Sequence, residues 1–132
     1  MGEQKRDPFG GVAEPTSCMP GNPKNRKNIP LKSGCIDYFP AALCGVAMVS
    51  KFGNDKHNPP GTPLTHNRDV SGDEAESVAR HLAELDGLDP ESGLPSSWHA
   101  LWRLASYVQK QAENNGWCLP APAARWPSKE TK

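Results

Sequence analysis

Cations and amide donors crowd one polar stretch of this chain, KFGNDKHNPPGTPLTHNRDVS, residues 51–71. Lys51, Asn54, Lys56, His57, Asn58 and Arg68 supply it, and Arg80-His81 follows. Side chains of this kind recognise oxyanions, and arginine suits phosphate because its planar fork meets two oxygens at once. Four carboxylates lie nearby in sequence: Asp73, Glu76, Asp89 and Glu91. Two or more acids of this kind can hold Mg²⁺ or Mn²⁺ and so neutralise a polyphosphate. His99 and Arg103 sit in a tryptophan-rich segment, where an imidazole can stack on a base or hydrogen-bond to it. Each has a plainer reading. Asp73 can cap a helix, Glu76 can pair with Arg80 at i+4, and Asp89 can fix the turn before Pro90. His99 can be a satisfied structural histidine, and exposed ion pairs contribute little. His66 lacks comparable surroundings and reads as a surface residue.

Three helices must position these groups. The first is expected to start near Asp37 and Pro40 and to stop at Gly53, with Phe39, Leu43, Val46, Ala47 and Val49 at near-helical spacing. The second is capped by Ser71 or Asp73 and ends near Asp86-Gly87. Its apolar face is Ala75, Val78, Ala79 and Leu82, at i, i+3, i+4 and i+7. A rigid acidic turn, Leu88 to Pro95, leads to a third helix capped by Ser96 or Ser97. Trp98, Leu101, Ala105 and Val108 form its expected buried stripe, and helical propensity fades at Asn114-Asn115-Gly116. No segment sustains period-two alternation. The expected fold class is therefore all-α, a small antiparallel helical domain with long irregular loops.

Composition sets further bounds. Of 132 residues only 36% are hydrophobic, while 14 prolines and 12 glycines concentrate near the ends and in the 53–63 region. Residues 1–29 are expected to form a flexible tail, 30–112 the domain, and 113–132 a proline-rich tail in which Trp117 and Trp126 are candidate anchors. Lysine plus arginine equals aspartate plus glutamate, 15 each, so no global field draws the chain to nucleic acid or a membrane surface. The start, MGEQKRDPFGG, does not read as a signal peptide, and the cytoplasm is the expected compartment. Cys18, Cys35, Cys44 and Cys118 lack zinc-ligand spacing and are expected as free thiols. Apolar stripes this thin over about 80 residues point to a homo-oligomer.

Three segments together resemble the phage-encoded dATP/dGTP diphosphohydrolase N-terminal domain family, an all-α relative of the MazG-type nucleotide pyrophosphohydrolases. They are Lys51-Phe52-Gly53 with Asn54-Asp55-Lys56-His57-Asn58-Pro59; Ser71-x-Asp73-x-x-Glu76-x-x-x-Arg80-His81-Leu82; and Asp89-Pro90-Glu91-Ser92-Gly93-Leu94-Pro95 followed by His99 and Trp102-Arg103. The resemblance covers residues 30–110. It implies hydrolysis of a purine (deoxy)nucleoside triphosphate to monophosphate and pyrophosphate. It also implies Asp73 and Glu76 as catalytic metal ligands, joined by Asp89 and Glu91. This chain departs from the family at Ala41-Ala42, where many members carry an acid, and in the third helix, which has no acid before Glu113. Two readings therefore stand side by side. One is the enzyme with Mg²⁺ or Mn²⁺. The other is a metal-free sponge that sequesters a host cyclic-nucleotide or ADP-ribose-derived immune signal. An interaction protein with a basic contact loop is a third. The partner in the first two is a small-molecule nucleotide.

Overall fold

Proline, not glycine, ends the first long helix. In the computed structural model, which describes residues 7–10, 14–68 and 72–125, helix α2 (Pro40–His57) runs through Gly53 for another turn. A single interior glycine costs a helix about 1 kcal/mol, which neighbouring turns absorb. Asn58 precedes Pro59-Pro60, and its backbone is extended, with φ −135° and ψ 157°. A following proline disfavours the α region, so the helix stops there. Lys51, Asn54, Lys56 and His57 are consequently helical residues, and the loop begins at Asn58.

A single turn, α1 (Pro23–Arg26), and a π-helical turn (Lys32–Ile36) precede α2. Helix α3 (Glu74–Ala83) follows the loop, with Asp73 at its N-cap position but making no capping hydrogen bond through its side chain. The alternative cap, Ser71, lies outside the described residues. Helix α4 (Ser96–Asn114) begins directly after Pro95 and ends at Asn115 and Gly116, the latter at φ +72°. The boundary expected at 112/113 thus falls inside its last turn. The architecture is mostly helical, as expected. Two-residue strands β1 (His66–Asn67) and β2 (Ala124–Arg125) pair in parallel, too short a pairing to leave any period in the sequence.

Helices α3 and α4 are antiparallel. Lys110 near the end of α4 meets Glu74 at the start of α3, Nζ to carboxylate 2.7 Å, while His99 at the start of α4 meets His81 near the end of α3. Helix α2 meets the first two turns of α4. The Trp98 indole lies over Gly45, where an added Cβ would come within 2.9 Å of the ring, and Trp102 Nε1 donates to Ser50 Oγ at 2.8 Å.

Of the expected stripes of α3 and α4, Trp98, over Gly45, and Val78 are half-buried, and the rest face outward. Leu101, Ala105 and Val108 of α4 are exposed, as are Ala75, Ala79 and Leu82 of α3. Ser96, Ala100 and Ser106 of α4, with Glu74 and Ser77 of α3, are buried instead. Helix spacing depends on the side chains at the contact, and small ones let the axes approach. Among the described residues the buried hydrophobics are Val49, Ala100 and Cys118, and no large side chain is fully enclosed.

The terminal segments contact this body more than their composition implied. Leu119 N–H donates to the Ser17 carbonyl at 2.8 Å, and His66 N–H to the Ala123 carbonyl at 2.8 Å. Phe9 meets Trp117 edge to face at 6.4 Å, and the next residue, Cys118, is buried. Trp126 lies outside the described residues. No helix among the described residues is long and apolar enough to cross a membrane.

Candidate functional site

The acidic turn is held by its own residues. Asp89 carboxylate accepts from the Ser92 N–H at 2.9 Å and the Glu91 N–H at 3.1 Å, while Asp89 N–H donates to the Leu94 carbonyl at 2.8 Å. Gly93 takes φ +73°, a left-handed conformation that glycine adopts without steric cost. This geometry presents the Ser92 hydroxyl to His99, Oγ to Nε2 2.7 Å, and the same oxygen accepts the Leu94 N–H at 3.0 Å.

Around His99 three helices and the turn converge. His81 stacks on it, centroids 5.0 Å apart and planes 17° from parallel. Phe52 of α2 meets it edge-on at 6.3 Å. Lys56, one turn further along α2, reaches Glu91 of the turn at 2.5 Å. Arg103 lies one turn beyond His99 on α4, with its guanidinium 5.5 Å from the Trp102 ring centroid. Burial lowers the pKa of His99, and His81 and Arg103 add to this against the opposing pull of Asp89 and Glu91. For Asp89, burial pushes up, but the Ser92 N–H, the His99 field, the Ser92 side chain and the Glu91 N–H outweigh it. Its carboxyl is held below the usual range. An ionised acid and a neutral imidazole therefore sit together near neutral pH.

Lys56, Glu91, Asp89, His81, His99 and Arg103 are thus gathered at one end of the α3–α4 pair. The other residues named from sequence are elsewhere. Lys51 pairs with Asp55 on the exposed side of α2 at 2.9 Å. Asn54 donates to the Thr62 carbonyl at 2.8 Å and accepts from Asn58 at 3.0 Å, so both asparagines shape the loop. His57 is exposed in the last turn of α2. Arg80 pairs with Asp73, seven residues earlier, at 3.4 Å, and not with Glu76, which is exposed. Among the described residues no three of His, Cys, Asp and Glu are arranged to hold a metal ion. Asp73, Glu76, Asp89 and Glu91 do not gather into one ligand set.

Arg68 is the clearest departure from the expected anion site. It is buried, donating to Glu113 through Nε at 2.8 Å and Nη2 at 2.7 Å, and its Nη1 contacts His66 Nδ1. Glu113 also accepts from Gln109 at 2.9 Å and the Ala121 N–H at 2.9 Å. Its own burial would raise its pKa, but these donors, Arg68 first, lower it to about 2. His66 is no surface residue either. Its ring packs 5.0 Å from Trp102, and burial, then Arg68 and Lys110, lower its pKa from 6.5 to about 4. Sequence reasoning passed over Ser92, Phe52, His66 and Glu113. The available signal for Glu113 was that a helix otherwise free of acids ends in one.

A pH dependence of stability follows from His66. The folded state disfavours its protonation, so the unfolded chain binds the extra proton and stability rises with pH. The contribution is complete above about 6.5 and is lost as pH falls from there towards about 4. Discounted for the part of the ring that meets solvent, the loss is on the order of 1–2 kcal/mol. Urea midpoints measured across this window should fall with acid, and His66→Gln should flatten the slope. Glu113 acts in a lower window: its contribution is present above 4.5 and fades as pH falls towards about 2. An unchanged slope in His66→Gln would refute the assignment.

No family model matches the chain, and no curated protein or solved structure proved similar to it.

Proposed function

We propose that this protein binds a purine nucleotide at the end of the α3–α4 pair, with His81 and His99 towards the base and Lys56 and Arg103 towards the phosphates. The observation that carries this reading is the stacked His81–His99 pair, with Phe52 beside it and cations from two helices, Lys56 of α2 and Arg103 of α4, at the same end. Flat rings stack on a base, and lysine or arginine side chains match phosphate. Net charge of zero suits a small ligand held by a local site better than a nucleic acid held by a field.

Hydrolysis of a (deoxy)nucleoside triphosphate, the reaction implied by the resemblance to the MazG-like phage family, is a second reading. It is favoured by one feature: neutral His99 beside ionised Asp89 and the Ser92 hydroxyl can take a proton from water. The carboxylates named for Mg²⁺ or Mn²⁺ do not fit a shared metal here, so no step is assigned to one. A sponge needs only the binding groups.

The test is an equilibration with a panel of linear and cyclic purine nucleotides, with and without Mg²⁺, followed by denaturation and analysis of the released molecules. Retained ligand supports binding; monophosphate and pyrophosphate indicate the hydrolase, and intact nucleotide the sponge. His99→Ala should weaken binding at least about tenfold, equivalent to roughly 1.4 kcal/mol. Retention of full affinity by both His99→Ala and His81→Ala would rule out this site.

A further inference from the structure

Cys18 and Cys118 stand 100 positions apart, a separation that gives no sign of a pairing in the sequence. The fold brings them together. Leu119 N–H donates to the Ser17 carbonyl at 2.8 Å. In such a bond the residue after the carbonyl and the residue before the N–H lie on the near sides of the two peptide planes. Here those residues are Cys18 and Cys118, and standard peptide dimensions put their α-carbons roughly 4–6 Å apart. A disulfide spans about 4.4–6.8 Å between α-carbons, so the pair is already within bonding reach. Both thiols are free, Cys18 exposed and Cys118 buried. Burial raises the pKa of the Cys118 thiol, and Glu113 and then Cys18 add to it, so the two sulfurs also lie within each other's field.

We propose that Cys18 and Cys118 form an oxidisable dithiol, which a peroxide converts to a disulfide joining the N-terminal segment to the segment after α4. The exposed partner reacts first. The Cys18 thiolate attacks one peroxide oxygen and the O–O bond breaks. Its sulfur is oxidised to a sulfenic acid, and the other oxygen leaves as hydroxide and takes up the proton that Cys18 released, giving water. The Cys118 sulfur then attacks that of Cys18. An S–S bond forms, the sulfenic hydroxyl leaves, and it carries off the Cys118 proton as a second water. Two thiols and one H₂O₂ thus give one disulfide and two waters. Burial keeps Cys118 a thiol, out of reach of bulk peroxide, until Cys18 carries a leaving group. The bond closes a ring around α2, α3 and α4. It fastens the segment whose Ala121 N–H binds Glu113 and whose Ala123 carbonyl binds the His66 N–H. Cys118 lies beyond the opposite end of α4 from His99, so the redox state acts on stability and not on the base-binding end.

The full chain, fully reduced and then treated with one equivalent of hydrogen peroxide, should lose two of its four alkylatable thiols. Trypsin separates Cys18 from Cys118 and leaves Cys35 and Cys44 on one peptide. Mass spectrometry without reduction should therefore recover residues 7–24 joined to residues 111–125. The thermal midpoint should rise by about 5 °C or more, and a thiol reductant should return it to the starting value. In urea, where loop length alone decides, the Cys35–Cys44 pair should be favoured instead. Cys18→Ser should keep its three remaining thiols reduced, and Cys44→Ser should form the same link as the wild type. Cys118→Ala should leave Cys18 to advance to sulfinic acid. A native product whose main link involves Cys35 or Cys44, or joins Cys18 of two molecules, overturns the proposal. Sulfinic acid at Cys18 of the wild type, with Cys118 still a thiol, overturns it equally. Should the Cys118 variant unfold, the peptide map of the wild type decides alone.

Discussion

Arg68→Ala is expected to destabilise the protein by about 3–5 kcal/mol, the largest loss of any single substitution of a charged residue here. The side chains of Arg68 and Glu113 are 4% and 1% exposed, and the guanidinium meets the carboxylate through two nitrogens. Removing one partner leaves the other charge buried and uncompensated, which costs more than the pair contributes over an apolar pair of the same shape. Gln109 and the Ala121 N–H would still bind Glu113, but neither carries a charge. Lys51→Ala breaks a pair of similar length whose side chains are 65% and 53% exposed, and should cost under about 1 kcal/mol. The double change Arg68→Met with Glu113→Leu should recover much of the loss, because it removes both buried charges together. Urea unfolding of the set provides the comparison. Equal losses in Arg68→Ala and Lys51→Ala would show that the buried pair is not what holds this region.

Gly45→Val should cost about 1–3 kcal/mol, or more if the helices cannot separate. The Cβ alone would stand 2.9–3.0 Å from three atoms of the Trp98 ring, and valine adds two methyl groups to it. The ring has little freedom to yield, since α2 also grips α4 one turn on, through Trp102 and Ser50. Trp98 emission should shift as the indole is displaced. Gly53, in the same helix, has nothing within 4 Å of its added Cβ, so Gly53→Ala should stabilise by about 0.4–1 kcal/mol. Opposite signs at the two glycines are the expected result; a loss at Gly53 equal to that at Gly45 would refute the assignment, because helix propensity favours alanine over glycine and no contact at Gly53 opposes it.

The helices were legible because their signals are local. Pro40 at a first turn, acids at the start of α3, and Asn115-Gly116 after α4 each act on the backbone within a few residues. The end of α2 was misplaced because Gly53 and Pro59 send competing signals, and the steric one prevailed. Direction was less legible than position. Periodicity reveals that a helix has an apolar side, but most of that side stays exposed here: the buried positions of α3 and α4 are Glu74, Ser77, Ser96, Ala100 and Ser106. At the candidate site, Lys56 and Glu91, or His81 and His99, were already suspected from residue type. Their meeting depends on the turn that Asp89 organises. Arg68 was misread because an arginine in a polar loop gives no hint of a carboxylate 45 residues away.

That separation also orders events in time. The α3–α4 hairpin closes through its own short turn, whereas the Arg68–Glu113 contact waits for a 45-residue loop, and the Ser17–Leu119 bond for nearly the whole described chain. The entropy of closing a loop rises with its length and is spent before the contact returns anything. The hairpin is therefore expected to be the early unit of folding. The strap made by residues 117–125 with Ser17, His66 and Glu113 is expected to form last, an order that pulse-labelled hydrogen exchange of the Leu119, Ala121 and His66 amides would test.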